Sequence, residues 1–101
     1  MMDKKILKQA QQLQAKMLKT QDELANATVE ATSGGGAVTV VMTGQQEIRS
    51  IKISPEVVDP EDVELLEDMI LAAVKEATQK SREMAEKKMG ALTGGLKIPG
   101  M

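Results

Sequence analysis

The chain has 101 residues and a formal net charge of −2, and it contains no cysteine, histidine, phenylalanine, tyrosine or tryptophan. Without cysteine there is no disulfide, thiolate nucleophile or cysteine zinc site, and without histidine the commonest metal ligand and general base are missing. These absences exclude most hydrolytic, redox and metal-dependent chemistries, so we expect a protein that is not an enzyme and needs no cofactor, metal or small-molecule substrate. No apolar run approaches the length of a membrane span and the start lacks an apolar signal core, which predicts a cytoplasmic location with no membrane partner.

The length of the chain suits a single domain. Because aromatic residues are absent, the core must consist of Val, Ile, Leu, Met and Ala, which is thin for a small domain. Small domains with thin cores often complete them by pairing with a second copy. Composition therefore predicts a homodimer.

The first predicted element is an amphipathic helix from Asp3 to about Asn26, with Asp3 as a suitable N-cap. At 1.5 Å per residue this helix would be about 35 Å long, so part of it must project from a small sheet or pack on another helix. Its apolar or small residues recur at intervals of four and three. They are Ile6, Ala10, Leu13, Met17, Thr20 and Leu24.

A stripe of lysine and glutamine residues runs along the same helix, within about 80° on a helical wheel and clear of the apolar stripe. Side chains at this spacing can follow successive phosphates of a nucleic-acid backbone. The alternative is an ordinary solvated face, but Asp3 to Thr20 carries five lysines and one acid, so nearby partners are scarce. The candidate DNA-binding residues of this helix are Lys5, Lys8, Gln12, Lys16 and Lys19.

Two β-branched runs, residues 28–33 and 37–43, flank the segment Gly34-Gly35-Gly36. This pattern predicts a hairpin whose turn requires positive φ. A phosphate-binding loop is not indicated, because no Lys-Ser or Lys-Thr follows the glycines and no helix begins there.

A third strand is predicted over residues 47–54. Its apolar alternation slips phase between Ile48 and Ile51, which predicts a bulge or a late start of the strand. Pro55 ends the strand.

A second helix is predicted to begin with Asp59 as N-cap and Pro60 at its first position, and to end at about Met89. The glycines and proline beyond it predict a domain covering residues 1–89 and a flexible tail over residues 90–101. The predicted buried stripe of the helix is Val63, Leu66, Ile70, Ala73, Ala77 and Met84.

Charge is distributed unevenly along the second helix. Residues 56–68 carry seven acids and no base, which the dipole at a helix start explains better than a metal site, since no calcium-loop pattern is present. Lys80 and Lys87 each follow a glutamate by four residues and are interpreted as structural ion pairs. Lys75 and Arg82 share another face and are weaker DNA-binding candidates. Antiparallel packing of the two helices would bring the lysine-rich ends together as a basic tip.

Four blocks in order carry a resemblance to a known family: Leu-Lys-Gln-Ala-Gln-Gln-Leu-Gln-Ala-Lys-Met at 7–17, Gly-Gly-Gly-Ala-Val-Thr-Val at 34–40, Leu-Leu-Glu-Asp-Met-Ile-Leu-Ala-Ala at 65–73, and Gly-Gly-Leu-Lys-Ile-Pro-Gly at 94–100. With these blocks the chain resembles the YbaB/EbfC nucleoid-associated proteins of bacteria. The resemblance implies an α+β fold, α-β-β-β-α, with a three-stranded antiparallel sheet between two long helices. It also implies a homodimer joined through the sheet region, whose projecting helical arms grip double-stranded DNA in the nucleoid and serve nucleoid organisation or gene regulation. By position, the basic stripe of the first helix and Arg82 would face the DNA.

A second function remains open from the sequence. The chain could be a protein-interaction adaptor whose dimeric arms grip another protein, with the lysines serving only to solvate the arms. The two functions differ in their response to salt, because counterion release makes DNA binding fall steeply as salt rises.

Overall fold

The computed structural model describes residues 3–92 of the chain. Two long helices precede and follow three strands along the chain, in the order α-β-β-β-α, which confirms the predicted α+β fold. The elements are α1 (Lys4–Asn26), β1 (Thr28–Ser33), β2 (Val38–Thr43), β3 (Ile48–Ile53) and α2 (Val63–Leu92), with 3-10 turns at Gly34–Gly36 and Pro55–Val57. No helix within the described range is both long enough and apolar enough to cross a membrane.

Helix α1 has the bounds that its pattern predicts. Asp3 has extended backbone angles, and its side chain accepts a hydrogen bond from the backbone N–H of Lys5 at 3.1 Å. This is the contact by which an N-cap satisfies one of the free N–H groups of the first turn. The helix ends at Asn26, and Ala27 returns to extended geometry at the start of β1.

The three strands form one antiparallel sheet in the order β1-β2-β3. The glycines of the β1–β2 turn have φ values of 59°, 68° and 92°, so the predicted requirement for positive φ is confirmed. The β2–β3 ladder pairs Val41 with Ser50 but Met42 with Ile48, which leaves Arg49 as the extra residue of a bulge. The bulge accounts for the slip in the apolar alternation of β3.

The core lies between one face of the sheet and α2. Helix α2 packs on β1 and β2, and its small residues Ala73 and Ala77 are fully buried, which lets the helix approach the sheet closely. Val38 and Val40 of β2 are equally buried beneath them. The core is as thin as the composition predicts, because its buried members are Ala31, Val38, Val40, Met42, Ala73 and Ala77.

The start of α2 differs from the prediction. Asp59 does not cap the helix; its side chain accepts a hydrogen bond from the N–H of Glu61 within a separate turn. The helix begins at Val63, and the side chain of the preceding residue, Asp62, accepts a hydrogen bond from the N–H of Leu65 in the first turn. The predicted burial of Val63 is also wrong, since this residue in the first turn is 51% exposed.

The end of α2 also differs, because the helix continues beyond Met89 through Gly90 to Leu92. A glycine costs about 1 kcal/mol in a helix interior, which a helix of 30 residues can absorb near its end. The part of the predicted tail over residues 93–101 lies outside the described residues.

The molecule is elongated, measuring 70 × 27 × 18 Å with a radius of gyration of 19.5 Å. A compact chain of this length would have a radius of gyration of about 13 Å. The radius of gyration is larger because α1 leaves the sheet and runs antiparallel to the last turns of α2. Leu24 and Met84 both lie close to Gly44, whereas Lys16 lies near Leu92. Residues 4–15 therefore extend about 18 Å past the level of Leu92.

Candidate nucleic-acid interface

The five polar residues predicted to form a DNA-binding stripe all lie on the projecting helix α1, and all are exposed. The helix is regular from Lys4 to Asn26, so the stripe keeps the alignment that the helical wheel gives it. From Lys4 to Thr20 the helix carries no acidic residue. Its lysines thus form a linear array of cations along about 22 Å of helix, from Lys5 to Lys19.

The last two lysines of the stripe border a groove between α1 and α2. Lys16 and Lys19 line it from α1, and Lys88 lines it from the last turns of α2. Lys88 lies 3.6 Å from a carboxylate oxygen of Glu23, with both side chains partly exposed. An exposed pair of this kind adds little stability, so the groove keeps an excess of positive charge.

Lys88 is a functional candidate that the sequence prediction missed. It lies 72 positions from Lys16 in the chain, and antiparallel packing of the two helices brings them to one groove. The predicted antiparallel arrangement already implied a basic tip. What the sequence could not supply was the rotation of α2 about its axis, which decides which of its cations faces α1.

Lys75 and Arg82 occupy a separate place. Both are exposed and line a shallow depression on the outer surface of α2, together with Glu83 and Glu86. This depression shares no lining residue with the groove between the helices. The structure therefore divides the predicted site into a continuous stripe on α1 and a mixed-charge patch on α2.

The ion pair predicted for Lys80 is confirmed. Its ammonium group lies 3.7 Å from Glu76, and it also donates a hydrogen bond of 2.9 Å to the backbone carbonyl of Glu30 in β1. Glu83 is the predicted partner of Lys87. In the structure Glu83 instead accepts a hydrogen bond of 3.2 Å from the side chain of Gln79. Lys87 is exposed.

Two apolar surfaces of the molecule, one on α1 and one on β3, are exposed to solvent. On α1, Leu24 is buried, whereas Ile6 and Leu13 are 55% and 39% exposed although the helical pattern places all three on one face. On β3, Ile48 and Ile51 are 48% and 41% exposed. These isoleucines pair with Met42 and Val40, so they project from the same face of the sheet as the core, beyond the strands on which α2 packs.

Comparison with known sequences finds one family over nearly the whole chain. The model of the YbaB/EbfC DNA-binding family matches residues 1–96. A nucleoid-associated protein of Pelotomaculum thermopropionicum is 60% identical over 97 residues, which cover 96% of this chain and 92% of that one. A nucleoid-associated protein of Chloroflexus aurantiacus is 53% identical, with 96% and 97% of the two chains covered.

Comparison with solved structures finds the same fold. An uncharacterized protein of Helicobacter pylori superimposes with a TM-score of 0.80, covering 93% of this chain and all of that one. The two sequences are 18% identical, so this likeness concerns the fold alone.

Proposed function

Because this chain belongs to the YbaB/EbfC DNA-binding family, we propose that it binds double-stranded DNA as a homodimer, mainly through phosphate contacts from its projecting helices. Its relatives are nucleoid-associated proteins, and we assign this chain a role in nucleoid organisation or gene regulation. It acts without catalysis, at the nucleoid.

The observation that carries this proposal is the lysine array of α1. Lys5, Lys8, Lys16 and Lys19 are exposed on one side of a helix that projects from the body. Helix α1 has no acid between Lys4 and Thr20, so these charges are available to a polyanion. Gln12, within the same stripe, can donate its amide to a phosphate or sugar oxygen. Lys88 adds a cation from the facing helix.

The homodimer is supported by the uncovered apolar face of β3. Ile48 and Ile51 continue the face that holds Val40 and Met42, yet α2 packs on the other two strands. A second copy placed over these isoleucines would extend the thin core across the interface. It would also place the two α1 helices as a pair of arms able to contact one duplex from two directions.

The test of DNA binding is an electrophoretic mobility shift titration with duplex DNA at several salt concentrations. If about four to six phosphates are neutralised, the logarithm of the binding constant should fall with the logarithm of salt at a slope of roughly −4 to −5. Duplexes of unrelated sequence should bind with similar affinity, because phosphate contacts carry no sequence information.

One observation favours the adaptor function as the second candidate. The apolar residues Ile6, Leu7 and Leu18 are 55%, 48% and 60% exposed on α1, and such residues suit a protein partner better than a phosphate backbone. A mobility shift that is absent, or that does not respond to salt, would favour this function over DNA binding.

A further inference from the structure

The turn between β2 and β3 forms hydrogen bonds with both long helices. The backbone N–H of Gly44 donates to the carbonyl of Leu24 at 2.9 Å and to that of Ala27 at 3.0 Å, which ties the turn to the end of α1. The side chain of Gln45 adds a bond of 3.1 Å to the carbonyl of Gln21. The bond to Leu24 satisfies one of the carbonyl groups that the last turn of a helix otherwise leaves free.

The same turn is fastened to α2 through a buried serine. Ser81 is fully buried, and its hydroxyl donates to the carbonyl of Thr43 at 2.7 Å. The hydroxyl also accepts a hydrogen bond of 2.9 Å from the side-chain amide of Gln46. Gln46 has a φ of 61°, a left-handed conformation that costs a non-glycine residue energy. This conformation places its amide within reach of both Ser81 and the carbonyl of Gly44.

Gly44 marks the closest approach between the turn and α1. A Cβ atom at this position would lie 2.7 Å from Leu24 Cδ2, 2.9 Å from the carbonyl oxygen of Leu24 and 3.0 Å from Met84 Cε. The carbonyl oxygen belongs to the helix backbone, so α1 itself would have to move to admit a side chain. Glycine at this position therefore sets how closely the helix lies against the turn.

The position of this attachment gives it leverage over the projecting helix. Leu24 is the buried residue of α1; residues 16–23 border the groove with α2, and residues 4–15 project beyond it. A tilt of about 10° at the attachment would displace the far end of a helix 35 Å long by about 6 Å. That displacement approaches the rise of two base pairs along the duplex axis, about 3.4 Å each.

We propose that Leu24, Thr43, Gly44, Gln46 and Ser81 form a joint that fixes the angle at which α1 leaves the sheet. Gly44 and Ser81 are then positioning residues for DNA binding, although neither lies on the basic stripe. The consequence for DNA rests on the proposed function, whereas the control of the helix angle does not.

The helix angle can be measured directly by spin labelling, because the chain has no native cysteine. The changes Gln11→Cys on α1 and Thr32→Cys on β1 place two labels at exposed positions of one molecule. Dilution with unlabelled protein restricts the measured distances to pairs within one chain. Double electron–electron resonance then reports the mean distance between arm and sheet and the width of its distribution.

We expect Ser81→Ala to broaden the distance distribution and Gly44→Ala to shift its mean by several ångströms. Thr78→Ala is the control for the serine, because the Thr78 hydroxyl bonds to the carbonyl of Val74 within α2 and not to the turn. Gly90→Ala is the control for the glycine, because a Cβ atom there has open space around it. Both controls should keep the distribution of the unmodified protein.

Loss of thermal stability with an unchanged distance distribution in both joint variants would overturn the proposal, since the contacts would then be purely structural.

The consequence for DNA binding is measured separately by mobility shift. If about one tenth of a joint variant keeps the native arm distance, its apparent dissociation constant should rise about tenfold. Altered distances with unchanged affinity would refute the positioning role. Failure of the unmodified protein to bind DNA would refute the proposed function, while the distances still decide whether the joint exists.

Discussion

The lysines of this chain differ in their surroundings, and their roles differ accordingly. Lys80 has both the Glu76 carboxylate and the Glu30 carbonyl as partners, and Lys88 has Glu23. Lys8 lies on a stretch of α1 without acids, where no neighbour on the same helix offsets its charge. Reversing the charge of the α1 lysines is therefore the strongest test of the stripe.

We expect the double reversal Lys8→Glu and Lys16→Glu to lower DNA affinity on the order of a thousandfold at about 0.1 M salt. Four phosphate contacts would change at once in a dimer, and each contributes about 0.9 to the slope of log K against log salt. Because both side chains are exposed, the melting temperature and the dimer should be unchanged. Mobility shift and circular dichroism measure the two effects.

The matched control for this reversal is Arg49→Glu with Lys52→Glu, which changes the net charge equally. These residues are exposed on β3, away from the arms. An equal loss of affinity from both double variants, with the dimer retained in each, would show that net charge governs binding. Full affinity in the α1 variant would refute the stripe as the site.

At the scale of elements, local chemistry predicts most of what the structure contains. The bounds of α1 follow from an N-cap and from apolar spacing, which act within a few residues. The bulge in β3 follows from a slip in alternation, because each strand residue must face one side of the sheet or the other. Such features depend on neighbours in the chain and can be worked out from the sequence.

Features that depend on distant parts of the chain are the ones the sequence does not supply. Apolar spacing puts Ile6 and Leu24 on one face of α1, but the position of the sheet decides that Leu24 alone of the two is buried. Val63 belongs to the apolar pattern of α2 and is nevertheless exposed. Lys88 joins the candidate site through the packing of α2 on α1, which no local pattern encodes. The stripe on α1 was predictable because a single helix contains it.

The β1–β2 turn offers a test of how backbone conformation specifies the hairpin. Gly34 and Gly35 both have positive φ, but a Cβ atom at Gly34 would overlap the sulfur of Met69, whereas one at Gly35 has open space. We expect Gly35→Ala to lower the free energy of unfolding by about 1 kcal/mol, the cost of the left-handed conformation alone. Gly34→Ala should lower it further, since Met69 must also move. Urea denaturation measures both, and equal losses would contradict the contact with Met69.

At the scale of the whole molecule, we expect sedimentation equilibrium to give twice the chain mass of 10.9 kDa. The change Ile51→Lys should give a folded monomer, because it places a charge in the apolar face of β3 that we assign to the interface. Its control is Ser50→Lys, one residue away on the opposite face of the strand. A dimer that survives Ile51→Lys would place the interface elsewhere, and an unmodified chain that sediments as a monomer would refute the dimer.

The length of the molecule explains how a chain of net charge −2 can approach DNA. Its seven acids at residues 56–68 lie near the start of α2, whereas the lysines lie toward the start of α1, about 55 Å away along the two helices. In physiological salt a charge is felt over about 8 Å, so the acids do not cancel the attraction between the lysines and phosphate. A duplex coated by this protein would therefore present negative tips to its surroundings. If the lysine stripe binds DNA as we propose, we expect neighbouring coated duplexes to repel one another most strongly at low salt.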